Sequence, residues 1–147
     1  MELIEEKGDL FDIDLDKYAL AHCISLDCAM GAGIAKEFVK RYPRMKKELL
    51  KDIELENLTY PMTLYYLTEK DVIFNMVTKE RYWHKPTYET IAACIKDLAY
   101  YCTVYGIDYL AMPRIGCGLD RLNWSKVRKI ILEEFKDIDI EILVKYL

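Results

Sequence analysis

Tyr18-Ala19-Leu20-Ala21-His22-Cys23-Ile24 is a stretch in which only the histidine is strongly polar. A strand with one wet face alternates apolar and polar residues. This one is nearly continuous, which predicts a strand covered on both faces, as in a sheet flanked by two helical layers. It runs into Ser25-Leu26-Asp27-Cys28-Ala29-Met30-Gly31-Ala32-Gly33, a loop, and then a helix predicted from about Ile34 to Arg41. Pro43 suits the first turn of a second helix reaching Leu50.

The rest of the chain repeats the alternation. Leu3 and Ile4 lie in an opening strand that ends at the turn signal Lys7-Gly8-Asp9. Thr63–Leu67 and Val72–Val77 are β-rich runs around Thr68-Glu69-Lys70-Asp71 and predict a hairpin. A long helix is predicted from Pro86 to about Tyr105, with Ile91, Cys94, Ile95, Leu98 and Cys102 on one face and Gly106 as its stop. Tyr109–Met112 predicts a buried strand, Trp124–Phe135 a helix with Val127, Ile130, Ile131 and Phe135 on one stripe, and Ile140–Tyr146 a last strand. The economical fold is α/β, a mixed sheet with helices on both faces. With 147 residues and neither linker nor repeat, one domain spanning 1–147 is expected.

Composition narrows the function classes. Hydrophobic residues make up 52% and charged residues 31%, as in a soluble folded protein, and the apolar runs are too short to span a bilayer. Met1–Lys7 lacks the basic start and apolar core of a signal peptide. Cys23, Cys28, Cys94, Cys102 and Cys117 form an odd set without C-x-x-C spacing, which fits free thiols in a reducing compartment. A cytoplasmic location is therefore expected, or a nuclear one in a eukaryote. His22, Cys23 and Cys28 do not have a recognised zinc spacing, and no metal is expected. The net charge of −4 opposes non-specific polyanion binding, so an anionic ligand needs local backbone donors.

Two glycine loops supply such donors. Gly31-Ala32-Gly33 precedes a helix, whose N-terminal amides suit phosphate. Arg114-Ile115-Gly116-Cys117-Gly118-Leu119-Asp120 follows a buried strand, and its glycines allow a concave nest of amides. Ligands of open α/β sheets sit beyond the carboxyl ends of the strands, where both loops and Gly8–Phe11 fall. Neither the dinucleotide fingerprint nor a P-loop is present. Asp120, just behind the second nest, suits proton transfer or orientation of a sugar hydroxyl, and equally a helix-entry cap before Leu122-Asn123-Trp124. Asp9 is a turn former or an acceptor for an adenine amino group. Cys117, with no histidine locally paired to it, is a compact filler rather than a nucleophile. Thr78–Pro86 mixes cations with Tyr82 and Trp83, a pairing able to hold phosphates and stack bases, and a neutral lysine there could form a Schiff base with a sugar aldehyde. Glu80 beside Lys79 favours the charged amine unless it faces away.

Lys7-Gly8-Asp9-Leu10-Phe11, Ala21-His22-Cys23-Ile24-Ser25, Met30-Gly31-Ala32-Gly33-Ile34-Ala35, Thr78-Lys79, His84-Lys85-Pro86-Thr87-Tyr88-Glu89 and Met112-Pro113-Arg114-Ile115-Gly116-Cys117-Gly118-Leu119-Asp120-Arg121-Leu122 together resemble macrodomains of the terminal ADP-ribose protein glycohydrolase type. The resemblance spans nearly the whole chain in order, and the last block is its most specific part. It implies a three-layer α/β/α sandwich with a mixed central sheet, and a cleft for ADP-ribose. It assigns adenine recognition to Asp9 with Leu10 beside it, a ligand contact to Ser25 near Gly31 and Gly33, and the diphosphate and distal ribose to Arg114, Ile115, Gly116, Cys117, Gly118, Leu119 and Asp120. Leu147 would reach the cleft. The family chemistry maps onto Lys79 and Asp120: the lysine attacks the anomeric carbon of the distal ribose after ester cleavage, giving a covalent lysyl intermediate, and the aspartate transfers protons and helps resolve it.

The activity so implied is removal of ADP-ribose from modified acidic side chains, or from nucleic acid bases, with no cofactor. Partners would be ADP-ribose and ADP-ribosylated protein or DNA, with no membrane, the protein being a monomer. A module that only binds ADP-ribose, and a phosphatase acting on ADP-ribose 1″-phosphate, are the alternatives, since fold does not fix function.

Overall fold

The computed structural model describes residues 1–147. Six strands and four helices follow in the order β1 (Glu2–Lys7), β2 (Ala19–Ser25), α1 (Gly33–Arg41), α2 (Met45–Leu55), β3 (Met62–Leu67), β4 (Val72–Lys79), α3 (Tyr88–Val104), β5 (Tyr109–Pro113), α4 (Trp124–Phe135) and β6 (Glu141–Tyr146). The strands form one sheet in the order β1-β6-β5-β2-β4-β3. Every pairing is parallel except that of β3 with β4, the hairpin. The sheet is therefore mixed, as expected.

Alternation along the central strands sends side chains into two separate cores. Ala19, Ala21, Phe74, Met76, Leu110 and Met112 pack with α3 and α4 on one face. Leu20, Ile24, Ile73, Val77 and Ala111 pack with Phe38 of α1 and with Met45 and Leu49 of α2 on the other. This is the three-layer sandwich, and it explains why YALAHCI does not alternate: both of its faces are dry.

The same alternation disposes of a zinc site at His22 and Cys23, which point to opposite faces. His22 is fully buried, stacks on Phe38 with ring centroids 3.8 Å apart, and bonds through Nε2 to Asn75 Oδ1 at 2.6 Å. Cys23 packs against the α3–α4 core.

Among the boundaries that differ from the sequence reading, three differences have a local cause. The long helix starts at Tyr88 rather than Pro86, because Thr87 is the N-cap and forms a reciprocal capping box with Thr90. The helix expected to begin at Pro43 starts at Met45 and continues past Leu50 to Leu55, burying Met45 and Leu49. Thr78 and Lys79 form the end of β4, since β2 pairs again with Lys79 beyond an irregularity at Ile24/Ser25 that passes over Thr78.

Burial holds the His22 imidazole at about 4, below its usual 6.5, outweighing the bond to Asn75. In the unfolded chain it protonates below pH 6.5, so protons favour unfolding until pH falls to about 4. Urea titrations should show up to about 3 kcal/mol of stability lost across that window. His22→Gln, which keeps a donor for Asn75 but does not titrate, should flatten the dependence.

Candidate active site

The carboxyl ends of all five parallel strands open into one cleft of about 1380 Å³. Gly8 to Phe11 enter it from β1, Cys23 to Ser25 and the following loop from β2, Lys79 from β4, Pro113 to Asp120 from β5, and Lys145 to Leu147 from β6. All fourteen residues singled out from sequence line it: Asp9, Leu10, Ser25, Gly31, Gly33, Lys79, Arg114, Ile115, Gly116, Cys117, Gly118, Leu119, Asp120 and Leu147. They do not all present side chains to it. Leu10 and Ile115 are core residues there, 3% and 2% exposed.

At one end Asp9 closes a turn, its carboxylate accepting from the Phe11 amide at 2.9 Å. Its side chain is exposed. Lys145 stands beside this turn, its ammonium 3.4 Å from Glu6.

At the other end Lys79 Nζ lies 2.7 Å from Asp120 Oδ1, with both side chains about 85% buried. Because β2 lies between β4 and β5, this pair spans the carboxyl end of β2. Glu80 is exposed, and the ion pair of Lys79 is with Asp120. Asp120 is not a helix cap. That role falls to Asn123, whose side chain accepts from the Lys126 amide.

The two glycine loops face each other. Leu119 Cδ1 comes within 3.4 Å of where a Cβ on Gly33 would stand. Ala32 caps α1 without any side-chain bond, so the first amides of that helix carry no side-chain partner where they border the cleft. Gly116 has φ +71°, and a Cβ there would meet Ile91 Cδ1 at 3.0 Å and Leu122 Cδ1 at 3.1 Å. Gly118 has neither constraint, and a Cβ on it would project into open space.

Arg114 turns toward β6. Its guanidinium lies 4.0 Å from the ring centroid of Tyr146 and 5.8 Å from that of Trp124, and its buried Nε has no partner. Cys117 is half-buried, and burial pushes its thiol up to about 11, the opposite of what a nucleophile needs. Burial likewise pushes the Cys23 thiol well up, outweighing the opposing influence of the Gly116 amide. Tyr82 and Trp83 are both exposed, in edge-to-face contact at 5.1 Å, and Tyr82 borders the cleft.

Sequence reasoning passed over Asp27. Its carboxylate accepts from the Ser25 hydroxyl, from the Ala29 amide at 3.2 Å and from the Tyr82 amide at 3.1 Å. Burial alone would raise its pKa, but these bonds and the charge of Arg81 outweigh that and hold it below the usual range. Asp27 thereby clips the first glycine loop to the segment following Lys79. The Ser25 hydroxyl is committed to this clip. Ser25-x-Asp27 is a turn-forming pattern, but nothing local signals a partner 55 residues away.

The Macro domain family model matches residues 22–131. The chain belongs to the macrodomain family. The human protein named ADP-ribose glycohydrolase OARD1 is 41% identical to this macrodomain over 140 residues, covering 94% of this chain and 87% of that protein. The Mycobacterium tuberculosis protein named DNA ADP-ribosyl glycohydrolase is 27% identical over 143 residues, covering 93% of this chain and 40% of that one. Among solved structures, the macrodomain of Mycobacterium tuberculosis DarG superposes with a TM-score of 0.88 at 25% identity, covering 97% of this chain and 96% of that one. Thermosipho africanus DarTG, solved in complex with ADP-ribose, gives 0.86 at 19% identity over 99% of this chain and 42% of that one, a likeness of fold.

The glycines of the second loop separate by experiment. Gly116→Ala should cost about 1–3 kcal/mol through its left-handed backbone and the two close contacts. Gly118→Ala should leave stability within about 0.5 kcal/mol, as for a surface change. Thermal unfolding of the two variants checks both.

Proposed function

We propose that this macrodomain is an ADP-ribosyl hydrolase that removes ADP-ribose from modified acidic side chains of proteins, using Lys79 and Asp120. The observation that carries the reading is the 2.7 Å contact between a lysine and an aspartate at one end of a cleft built from strand ends. The likeness over nearly the whole chain to a protein named as an ADP-ribose glycohydrolase supports the same class of reaction.

In this reading Asp9 accepts from the adenine amino group at the far end, beside Leu10. The diphosphate lies between the α1 N-terminus with Gly31 and Gly33 and the amides of Ile115 to Leu119. The bare Cα of Gly118 leaves room for it. Arg114 and Leu147 border the ligand from the β6 side, Ser25 through the loop it helps to hold, and the distal ribose ends at Lys79 and Asp120.

A carboxylate 2.7 Å from the ammonium is placed to take the proton that Lys79 must lose before it can attack. The freed Nζ lone pair bonds to the anomeric carbon as the bond from that carbon to the acyl oxygen breaks. The electron pair of the broken bond leaves on the carboxylate of the acceptor side chain. Water then displaces the lysine: Asp120 returns its proton to the departing Nζ, accepts the proton that the water loses, and passes it to the released carboxylate. The products are ADP-ribose, the free acid and the enzyme unchanged. No step requires a metal or an organic cofactor.

Lys79→Ala and Asp120→Ala should each reduce turnover at least about 10³-fold, the scale for loss of a nucleophile or its proton-transfer partner. ADP-ribose should still bind to both by calorimetry, which also shows that they fold. Unchanged turnover in both variants rejects the mechanism, and tight binding without release from any modified substrate marks a reader of ADP-ribose instead. Borohydride reduction during turnover should trap the ring-opened imine on Lys79, and an adduct on another lysine rejects that residue. A panel of carboxyl-, serine- and base-linked ADP-ribose, together with a phosphate-release assay on ADP-ribose 1″-phosphate, tests linkage and reaction class. The carboxyl-linked substrate is expected to react fastest.

A further inference from the structure

Behind the reacting end of the cleft lies a second, smaller cavity of about 310 Å³, at the low end of the range for small-molecule sites. It is bounded by the end of β4 and the start of α3, with Thr78, Glu80, His84 and Thr90 in its wall. Lys79 and Lys85 line both spaces. Lys85 crosses to the second glycine loop, its Nζ donating to the Leu119 carbonyl at 2.8 Å. The two lysines thus form the partition between the cavities.

One group in this wall lacks a partner. Thr78 is 1% exposed, and its hydroxyl makes no hydrogen bond. Burying a hydroxyl unpaired costs free energy that a valine of the same shape would not. The first turn of the 17-residue helix α3 adds the positive end of its dipole, and Thr87 and Thr90 satisfy two of its amides within the capping box. Lys85 has no carboxylate partner. The one acid in the wall is Glu80.

From this juxtaposition we infer that the second cavity is the leaving-group subsite, which receives the acidic side chain from which ADP-ribose is removed. The inference rests on the hydrolase reading above. Whatever is attached to the anomeric carbon must lie beyond the ribose, and this cavity adjoins that end of the cleft, sharing Lys79 and Lys85 with it. The Thr78 hydroxyl donates to the departing carboxylate, while Lys85 and the α3 N-terminus offset its charge. Glu80 limits the site to a monoanion and disfavours the serial phosphates of a nucleic acid strand, so a carboxylate is the better fit.

Thr78→Val separates this role from a packing role. Removing an unpaired buried hydroxyl should leave the melting temperature unchanged or raised. With full-length protein, two esters of ADP-ribose are compared: one with the glutamate side chain of a short peptide, one with acetate. Because both esters release a carboxylate, kcat/KM for each should fall about tenfold in Thr78→Val, the scale of one hydrogen bond to a charged group, and return in Thr78→Ser. N-acetylglutamate amide should inhibit the wild type competitively, and about tenfold less well in Thr78→Val. If Thr78→Val does not fold, Lys85→Met should produce the same drop for both esters and spare the base-linked substrate. Unchanged kcat/KM for both esters overturns the subsite, as does an equal loss on a base-linked oligonucleotide substrate, which releases no carboxylate. If the wild type cleaves neither ester, the hydrolase reading itself has failed, which is a different result.

Discussion

The contact between Lys79 and Asp120 is the constraint around which the cleft is arranged. Two side chains 41 residues apart meet at 2.7 Å because β4 and β5 flank β2 and end at the same edge of the sheet. Taking two charges out of water is costly unless they compensate each other, so neither is readily placed there alone. The pair therefore draws the second glycine loop over the end of β2. Lys85 holds the same loop from outside through the Leu119 carbonyl, and Leu119 in turn reaches toward Gly33. A reaction that separates Lys79 from Asp120 must offer each a new partner, which a bound sugar can do.

An acidic chain holds a site for an anionic ligand by keeping its charges apart. Lys79, Lys85, Arg114 and Lys145 line the cleft, yet Lys79 and Lys145 are paired with acids and Arg114 lies over Tyr146. In the proposed binding mode attraction for phosphate then comes from Lys85 and Arg114, which have no acid partner, and from oriented amides, which carry no formal charge and do not alter the balance of −4. Thiols add little. Burial pushes Cys28 and Cys117 up to about 11 and Cys94 and Cys102 up to about 12, leaving them protonated near neutral pH.

Much of this fold was legible because its signals are local. Apolar periodicity marks α4 to the residue, the uninterrupted run around Leu20 marks a strand buried on both faces, and the turn residues after β1, β2 and β5 mark the cleft edge. Helix starts were less legible, since Pro43 and Pro86 advertise a beginning that the chain takes up two residues later. The resemblance carried the site further than spacing alone, because nothing near Lys79 announces Asp120. What stayed hidden depends on distant partners. Asp27 reads as a turn residue until the Tyr82 amide is seen on its carboxylate, and Thr78 reads as the start of a cationic, aromatic segment until its hydroxyl is found buried and unpaired at the end of β4.

The glycines show how local and tertiary causes divide even inside one motif. In the first loop the left-handed positions include Cys28 and Met30, at φ 51° and 48°, conformations that ordinary side chains adopt only at a cost. Both side chains are buried, 0% and 6% exposed, and that packing offsets the strain. Gly31, between Met30 and the helix, is exposed, has no left-handed φ, and a Cβ on it would come no closer than 3.9 Å to the atoms around it. Its glycine is thus not required by the backbone, and the same is true of Gly118. In the proposed binding mode a Cβ on either would stand between the loop amides and the diphosphate. Gly116, by contrast, is fixed by its own conformation and by Ile91 and Leu122 beneath it. In each glycine pair one member is therefore free of conformational demand, and in the proposed binding mode the space left by its missing side chain is open to the diphosphate.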